Sequence, residues 1–289
     1  MARKLKVSAG ILNIRLHPHS PEIYAAFLYD IFRAKAMANV HGDRFGMISQ
    51  IDRSEVESGR LTGVITTFLR IETDGQWFNS ESLTEATEDQ VSSVVIPPNL
   101  NPNAATYFFD FNLRTHRLYF QEYSNGKTLT PNSALKLFSG LSRDLGVMGR
   151  YGEAQITVVQ DSEALTALFE IPRIKEITIT ILRPNPDIFA DDFEGVIEEH
   201  LAATHSKSLK LTYTAEDGGS VLATDEIRDV GNVAVENGNV KVVGRDETGA
   251  ITRSTDEFPK LLQTTYRPDE TSERNAFFSL VRRARRSGQ

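Results

Sequence analysis

The middle of the chain contains the stretch Glu176-Ile177-Thr178-Ile179-Thr180-Ile181-Leu182, which predicts a β-strand. Around it the sequence predicts further elements in alternation: a strand at 154–159, a helix at 162–169, a helix at 188–203 and a strand at 208–214. Strands and helices that alternate in this way favour a layered α+β or α/β architecture over an all-β fold. We therefore predict an α+β fold with mixed or antiparallel sheets, packed amphipathic helices and two intimately associated subdomains.

The beginning of the chain predicts the order strand, helix, strand, strand. Ser20, Pro21 and Glu22 form a strong helix start, because they supply a capping hydroxyl, a proline at the first helical position and an acid at the positive end of the helix dipole. The predicted strands of this part lie at 5–16, 45–51, 61–71, 107–113 and 116–123, and the helix extends from residue 20 to about residue 38.

The later part of the chain is predicted to begin and end with an amphipathic helix. Thr130 and Pro131 repeat the cap-plus-proline signal, and apolar residues follow at helical spacing. A late hairpin is predicted at 240–244 and 250–253, and a last helix at 272–286. The last helix carries an apolar stripe that either packs on the protein body or crosses to a second copy: Phe277, Leu280, Val281 and Ala284.

Length and composition limit the class of protein. A chain of 289 residues exceeds the ~100 to 200 residues of one typical domain, and we place a boundary after the Asn125-Gly126 turn, giving domains 1–126 and 127–289. Cysteine is absent, which excludes disulfides and thiolate metal sites and agrees with a reducing, cytoplasmic location. No leader core and no uncharged apolar stretch of ~20 residues occurs, so we expect no membrane insertion.

The charge is distributed unevenly along the chain. The formal net charge is −7, yet the stretch from residue 267 to residue 289 carries six arginines, four of them in Arg282-Arg283-Ala284-Arg285-Arg286. Cations near a helix C-terminus favour the helix dipole, but four exceed what the dipole requires. A basic helix on an acidic protein indicates an anionic partner, which is nucleic acid, an acidic protein surface or an anionic membrane.

Two further regions offer cations beside aromatic or glycine residues. Arg150 lies in the glycine-rich stretch 146–152, and Arg114 and Arg117 lie in the aromatic hairpin at 107–123. Such patterns occur where proteins contact nucleic acid, but a helix cap and an ordinary hydrophobic core explain them equally. The predicted nucleic-acid-binding residues are Arg114, Arg117, Arg150, Arg274, Arg282, Arg283, Arg285 and Arg286.

Catalytic motifs do not stand out in the sequence. No lysine has an acid two positions before it, as a metal-dependent nuclease strand requires, and none of the common nucleotide-binding glycine motifs occurs. We therefore expect no catalytic residue, no metal and no cofactor. The competing hypothesis is a metal-dependent nuclease of unfamiliar type that uses His17, His19, Asp43 or Asp110.

Four stretches carry a resemblance to a known family. These are Ile177-Thr178-Ile179-Thr180-Ile181-Leu182-Arg183-Pro184, the segment from Leu209 to Gly219, the opening from Leu12 to Pro21, and the strand from Gly63 to Phe68 with Trp77-Phe78-Asn79. Together they resemble the bacterial proteins grouped as domain-of-unknown-function family 4747. A more distant resemblance, at the level of element order, is to RexA, the DNA-binding sensor of the lambda phage exclusion system.

The resemblances imply a cytosolic, dimeric α+β protein of phage defence that engages DNA and acts through a partner; they transfer no residue role. We therefore predict a non-catalytic antiviral protein of the abortive-infection type. It is expected to bind or sense nucleic acid, DNA rather than RNA, as a homodimer that acts through an effector protein. The nuclease stays open as an alternative, as does a protein-binding scaffold that docks through the basic C-terminal helix.

Overall fold

Two antiparallel sheets with separate hydrophobic cores build the protein. The computed structural model describes residues 4–17, 20–184 and 193–287. All strand pairs in both large sheets are antiparallel, and helices pack against each sheet. The predicted α+β fold is confirmed.

The first part of the chain supplies most of the larger sheet. In chain order it contains β1 (Leu5–Arg15), α1 (Pro21–Arg33), β2 (Ala38–His41), β3 (Arg44–Asp52), β4 (Arg60–Leu69), β5 (Phe78–Asn79), β6 (Thr84–Glu85), α2 (Glu88–Ser92), β7 (Ala105–Asn112), β8 (Arg117–Gln121), β9 (Tyr123–Ser124), β10 (Lys127–Thr128), α3 (Pro131–Leu141), α4 (Leu145–Tyr151) and β11 (Gln155–Val158).

The second part supplies the smaller sheet and then returns to the larger one. It contains α5 (Ser162–Phe169), β12 (Arg173–Leu182), α6 (Phe193–Ala203), β13 (Ser208–Thr214), α7 (Asp225–Asn237), β14 (Gly238–Asp246), β15 (Gly249–Ser254), β16 (Leu261–Tyr266) and α8 (Glu273–Ser287). The smaller sheet has the strand order β13-β12-β14-β15. The helix predicted at 188–203 is described only from Phe193, because 188–192 lie outside the described residues.

The larger sheet is closed by elements from both ends of the chain. Its order is β11-β1-β8-β7-β4-β3-β2, and β16 also pairs with β1. β16 pairs with β1 from Leu5 to Gly10 and β11 from Leu12 to Arg15, while β8 pairs with residues 9 to 13 of β1. Since β8 overlaps both registers, β11 and β16 lie one after the other along the opposite side of β1.

Both faces of the larger sheet are covered, which explains why β1 is buried without interruption from Val7 to Arg15. α1, α3 and α4 cover one face around a core that includes Phe27, Phe109 and Phe138. α8 covers part of the other face. By contrast, β12 alternates buried and half-buried positions, because α5, α6 and α7 cover only one face of the smaller sheet.

The chain leaves and re-enters the larger sheet at one narrow neck. Gln160 forms an isolated bridge with Pro259, the Lys260 amide donates to the Val159 carbonyl at 2.9 Å, and the Asp161 amide donates to the Phe258 carbonyl at 2.9 Å. The smaller sheet is therefore inserted between β11 and β16. The domain boundary predicted after residue 126 lies in the β9–β10 turn, and the larger sheet takes β11 and β16 from beyond it; the boundary stays a prediction.

A buried polar network joins the two sheets. Arg15 is fully buried; its Nη1 donates to Asn237 Oδ1 at 2.8 Å and its Nη2 to Thr157 Oγ1 at 3.3 Å. Asn237 Nδ2 in turn donates to Glu194 Oε1 at 2.6 Å. Burial lowers the pKa of Arg15 to about 10 and raises the pKa of Glu194 to about 7.

Several element boundaries differ from those predicted. α1 ends at Arg33 instead of residue 38, because Lys35 adopts a positive φ of 49° and the chain turns into β2. The glycine-rich stretch 146–152 is mostly helix α4, capped by Asp144, instead of a turn. α7 and β16 were not predicted at all.

Candidate nucleic-acid interface

The basic helix α8 lies on the outer face of the larger sheet. Its apolar stripe packs into a core with residues of β1 and β8, and the buried members are Val7, Ala9, Ile11, Tyr119, Ala276, Phe277, Leu280 and Val281. Ala284 is half-buried. Of the two possibilities for the stripe, packing on the protein body is the one found. A homodimer through this stripe has no free apolar surface to use.

One flank of α8 forms a groove with the strands beside it. Arg274, Phe278, Arg282 and Arg286 recur every four residues along this flank, with Arg285 beside them. Two adjoining clefts of about 520 and 420 Å³ lie between the flank and residues of β3 and β4, and both are lined by Glu55, Arg60 and Arg282. We name the combined surface the arginine groove, after its basic members Arg60, Arg274, Arg282, Arg285 and Arg286.

The groove carries more positive than negative charge. Its acidic members are Asp52, Glu55 and Asp110, against five arginines. Asp110 is 1% exposed, and its carboxylate lies inside the groove wall. The two carboxylates nearer the surface leave the exposed rim to Arg274, Arg282 and Arg286. The groove is thus a local reversal of the charge of the whole chain.

A buried ion-pair cluster fixes the groove wall. Arg285 Nη1 donates to Asp110 Oδ1 at 3.0 Å, and Arg60 Nε donates to Asp110 Oδ2 at 2.6 Å. Arg60 also pairs with Glu55 at 2.9 Å. Burial raises the pKa of Asp110, although both arginines act in the opposite direction. Burial would lower the pKa of Arg60, but hydrogen bonds and charges from Glu55 and Asp110 outweigh it and raise that pKa.

An aromatic ring orders two of the arginines. The guanidinium carbon of Arg60 lies 5.0 Å from the centroid of the Phe278 ring, and that of Arg274 lies 5.7 Å from it. Both distances fall within the range of cation–π attraction. Phe278 itself packs against Phe277 and Phe108, so the ring is held from behind. The groove therefore presents its cations in a largely pre-arranged geometry.

Some predicted binding residues lie in or beside the groove. Arg274, Arg282, Arg285 and Arg286 line it. Arg114 is exposed and adjoins it, because its side chain packs beside Gly59, whose carbonyl accepts from Arg285 Nη2 at 3.5 Å. The structure brings these five side chains together.

The other predicted residues lie elsewhere. Arg283 donates to Thr264 Oγ1 on β16 at 3.3 Å, which places it on the opposite flank of α8. Arg117 donates to both carboxylate oxygens of Glu236 at 2.5 Å and so ties the larger sheet to α7. Arg150 pairs with Asp30 on the layer of helices across the sheet. We leave these three out of the interface.

The aromatic hairpin does not offer a stacking surface. Tyr107, Phe109, Phe111 and Phe120 are completely buried in the main core. Phe108, on the other face, packs against Phe277 and Phe278 of α8. The ordinary-core explanation of the hairpin is the one found.

The residues of the nuclease hypothesis do not converge in the described part of the chain. Asp110 is engaged by two arginines. Asp43 lies in the turn between β2 and β3, whereas His17 follows β1 in the middle of the sheet. Pro18 and His19 lie outside the described residues. Among those that are described, no group of three histidine or acidic side chains could hold a metal ion.

Sequence reasoning missed Arg60, Asp110 and Phe278 as members of the groove. Arg60 is the first residue of β4 and is far from α8 in the sequence, so no spacing pattern connects them. The available signal was local: Arg60 and Asp110 are charged residues within otherwise apolar, strand-forming stretches. A charge placed there needs a partner, and the partner came from the last helix.

These features define an α+β protein with a pre-arranged cationic surface groove. The chain belongs to the family described as Domain of unknown function (DUF4747), whose model matches residues 5–282. This confirms the family resemblance drawn from the sequence, while the resemblance to RexA stays a prediction. No curated protein shows significant similarity to the chain. Among the described residues, no helix has the length and apolar character needed to cross a bilayer.

Proposed function

We propose that the protein binds nucleic acid through the arginine groove, without intrinsic catalysis. The observation that carries the proposal is the exposed rim of Arg274, Arg282 and Arg286 on a helix flank whose other arginines are already fixed by ion pairs and by Phe278. Guanidinium groups bind phosphate in bidentate geometry. Because Arg60 and Arg285 hold the wall, the rim arginines are available for an external anion.

The dimensions of the groove fit a short length of phosphate backbone. The flank from Arg274 to Arg286 is about 18 Å long at 1.5 Å per helical residue. That length faces about five phosphates of one strand at ~3.4 Å each. Phe278 is covered by Arg60 and Arg274 and does not reach a base. We therefore expect backbone binding without sequence preference, with strong dependence on salt.

The biological setting belongs to the same proposal. A preference for DNA over RNA, a role in phage defence and action through an effector protein rest on the resemblance to RexA. A cytoplasmic location rests on the composition of the chain. The groove supports only the electrostatic part of the proposal, and its experiment is designed for that part.

The test is a charge reversal with a matched control. Arg282→Glu with Arg286→Glu removes two rim cations. Arg245→Glu with Arg253→Glu makes the same change in net charge on exposed positions of β14 and β15 in the smaller sheet. Fluorescence anisotropy with duplex DNA, single-stranded DNA and RNA of one sequence measures affinity across salt.

We expect the rim variant to lose most of its affinity and to flatten the slope of log affinity against log salt by about 1.8 on duplex DNA, at about 0.9 per lost contact. The control variant should keep the slope of the unmodified protein. Equal effects of both variants, or binding that ignores salt, would show that the groove is not the interface. Substrates incubated with magnesium or manganese should remain uncut; cleavage would contradict the non-catalytic part.

A further inference from the structure

The chain carries a second charged region, of opposite sign. Residues 71–103, which connect β4 to β7, contain six acidic side chains and no lysine, arginine or histidine. We name this segment the acidic arm. Its acidic residues are Glu72, Asp74, Glu81, Glu85, Glu88 and Asp89, and all are exposed.

The acidic arm has its own local order but little cover. The β5–β6 pair, the Thr87 capping box of α2 and the bond from Trp77 Nε1 to the Thr73 carbonyl at 3.1 Å hold it together. Its apolar side chains nevertheless face water: Phe78 is 67% exposed, Leu83 73% and Val95 85%. Exposed apolar residues beside a concentration of like charge are typical of a protein-binding surface.

The arm and the arginine groove lie at opposite ends of one strand. The arm leaves β4 after Leu69, and the bond from the Leu69 amide to the Pro102 carbonyl closes its base. The groove contacts β4 at Arg60, at the other end. At ~3.3 Å per residue these ends are about 30 Å apart. Local pairing keeps the arm at its own end, so contact between arm and groove requires two copies.

We propose that the acidic arm of one copy docks in the arginine groove of a second copy. The charges are complementary, since carboxylates bind guanidinium groups in the same bidentate geometry as phosphate. Trp77 and Phe78 add aromatic faces on which rim arginines stack. The contact is heterologous, because two different surfaces meet, and it therefore builds rings or open chains instead of a closed two-fold dimer.

This inference rests on the groove of the proposed function and gives that groove a regulator. Nucleic acid and the arm of a neighbouring copy would occupy the same cations and so compete. Self-association holds the groove closed at high protein concentration, and phosphate backbone opens it. The −7 charge of the chain favours this arrangement, because each contact places an acidic surface against a basic one.

The test uses two complementary variants. The arm variant carries Glu72→Gln, Asp74→Asn, Glu81→Gln and Glu85→Gln, which leaves the first turn of α2 intact. The groove variant carries Arg282→Glu and Arg286→Glu. Sedimentation velocity at low and high salt measures the size of each protein, and circular dichroism checks that both variants are folded.

We expect the unmodified protein to form species larger than a monomer at low salt and to dissociate at high salt. Each variant alone should be monomeric. Mixed together they should form one-to-one dimers that grow no further, because the first retains a groove and the second an arm. A monomeric unmodified protein at low salt, or a mixture that does not associate, would overturn the proposal. If the four-site variant does not fold, Glu81→Gln with Glu85→Gln replaces it.

Nucleic-acid binding separates the two proposals. The arm variant should bind duplex DNA more tightly than the unmodified protein, because its groove has no competitor. Salt-sensitive self-association without any nucleic-acid binding would contradict the proposed function and leave this inference standing. Nucleic-acid binding that is equally strong in the unmodified protein and the arm variant would contradict the competition.

Discussion

Asp110 shows how one buried residue sets the geometry of a surface. Its carboxylate accepts from Arg60 and Arg285, so it joins β4, β7 and α8 at one point. Asp110→Ala leaves two partly buried guanidinium groups without their acceptor. We expect it to lower the free energy of unfolding by about 2 to 4 kcal/mol, somewhat less than for a fully buried pair. Urea unfolding measures the change.

The matched control for Asp110 is Asp52→Ala, an exposed acid on the rim of the same groove. It should change stability by no more than about 0.5 kcal/mol. An Asp110 variant as stable as the control would mean that the arginines are not held by the carboxylate. The groove variant with Asp110→Ala should also bind nucleic acid less reproducibly across temperature, because Arg285 is then free to move.

Glu194 gives the protein a dependence of stability on pH. Its pKa rises from an ordinary 4.5 to about 7 because burial disfavours the charged form. The folded protein therefore retains a proton that the unfolded chain releases, and stability falls as pH rises from about 4.5 to 7. The loss amounts to about 2 to 3 kcal/mol. Below this range the group contributes no pH dependence.

Glu194→Gln tests this assignment. Glutamine still accepts from Asn237 but does not ionise, so the variant should gain stability over the unmodified protein as pH rises through this range. Thermal unfolding at pH 5, 6, 7 and 8 measures the difference. Glu199→Gln, on the exposed side of the same helix, serves as the control and should show no such trend. A constant difference across pH would contradict the assignment.

Individual buried polar residues were the hardest to predict. The sequence marks Arg15 only as a charge that interrupts an apolar strand. Its partners, Asn237 and Thr157, come from α7 and β11 and are brought to it by the fold. Arg60 is a similar case. In each, the partner is distant in sequence, so no local pattern contains the pair.

Among the elements, α8 combines a structural and a binding face. Phe277 is completely buried against the sheet, whereas Phe278 lies in the groove. Phe277→Ala should cost about 3 to 5 kcal/mol of stability, the range for a large aromatic removed from a core. Aspartate at Phe277 and Val281 should therefore unfold or detach the helix, where an unpacked stripe would have given a folded protein.

Phe278→Ala is the neighbouring contrast to that variant. It should cost only about 1 kcal/mol, because the ring is partly exposed. Its main effect should be weaker nucleic-acid binding, since Arg60 and Arg274 lose the ring that orders them. Chemical unfolding and anisotropy, measured on both variants, separate the two roles. The assignment fails if Phe278→Ala destabilises as much as Phe277→Ala.

Most elements could be predicted where local signals were strong. α5 and β13 match the predicted bounds, and the late hairpin appears as β14 and β15. α7 was missed because Gly231 and several polar residues dilute its apolar face, yet Ile227, Val230 and Ala234 are buried. β16 was missed because only its pairing with β1 makes it a strand. Tertiary pairing of this kind leaves no trace in a short window of sequence.

At the scale of the whole molecule, the insertion between β11 and β16 predicts how fragments behave. A fragment of residues 161–257 contains the whole smaller sheet with α5, α6 and α7. It should fold alone, with cooperative urea unfolding. A fragment of residues 1–126 lacks β11, β16, α3, α4 and α8 and should be insoluble or unfolded.

The fragment experiment also tests the predicted boundary. If residues 1–126 gave a cooperative unfolding transition, the predicted division of the chain would stand and the inserted arrangement would not describe independent units. The charge asymmetry was visible in the sequence, since both the arginine-rich end and the acid-rich connection can be read there. Their separation along β4 was not, because it depends on which end of the strand each one adjoins.

The pairing of β1 with β16 also fixes the order in which the protein is completed during synthesis. β1 leaves the ribosome first, and β8 joins it once Gln121 has emerged, but β16 begins only at Leu261. At ~5 to 20 residues per second, the second edge of β1 stays open for roughly 10 to 30 s. During that interval Val7, Ala9 and Ile11 lack the helix that later covers them. The nascent chain is therefore exposed to aggregation at its oldest strand, and holding that strand until the last helix arrives is a task for a ribosome-bound chaperone.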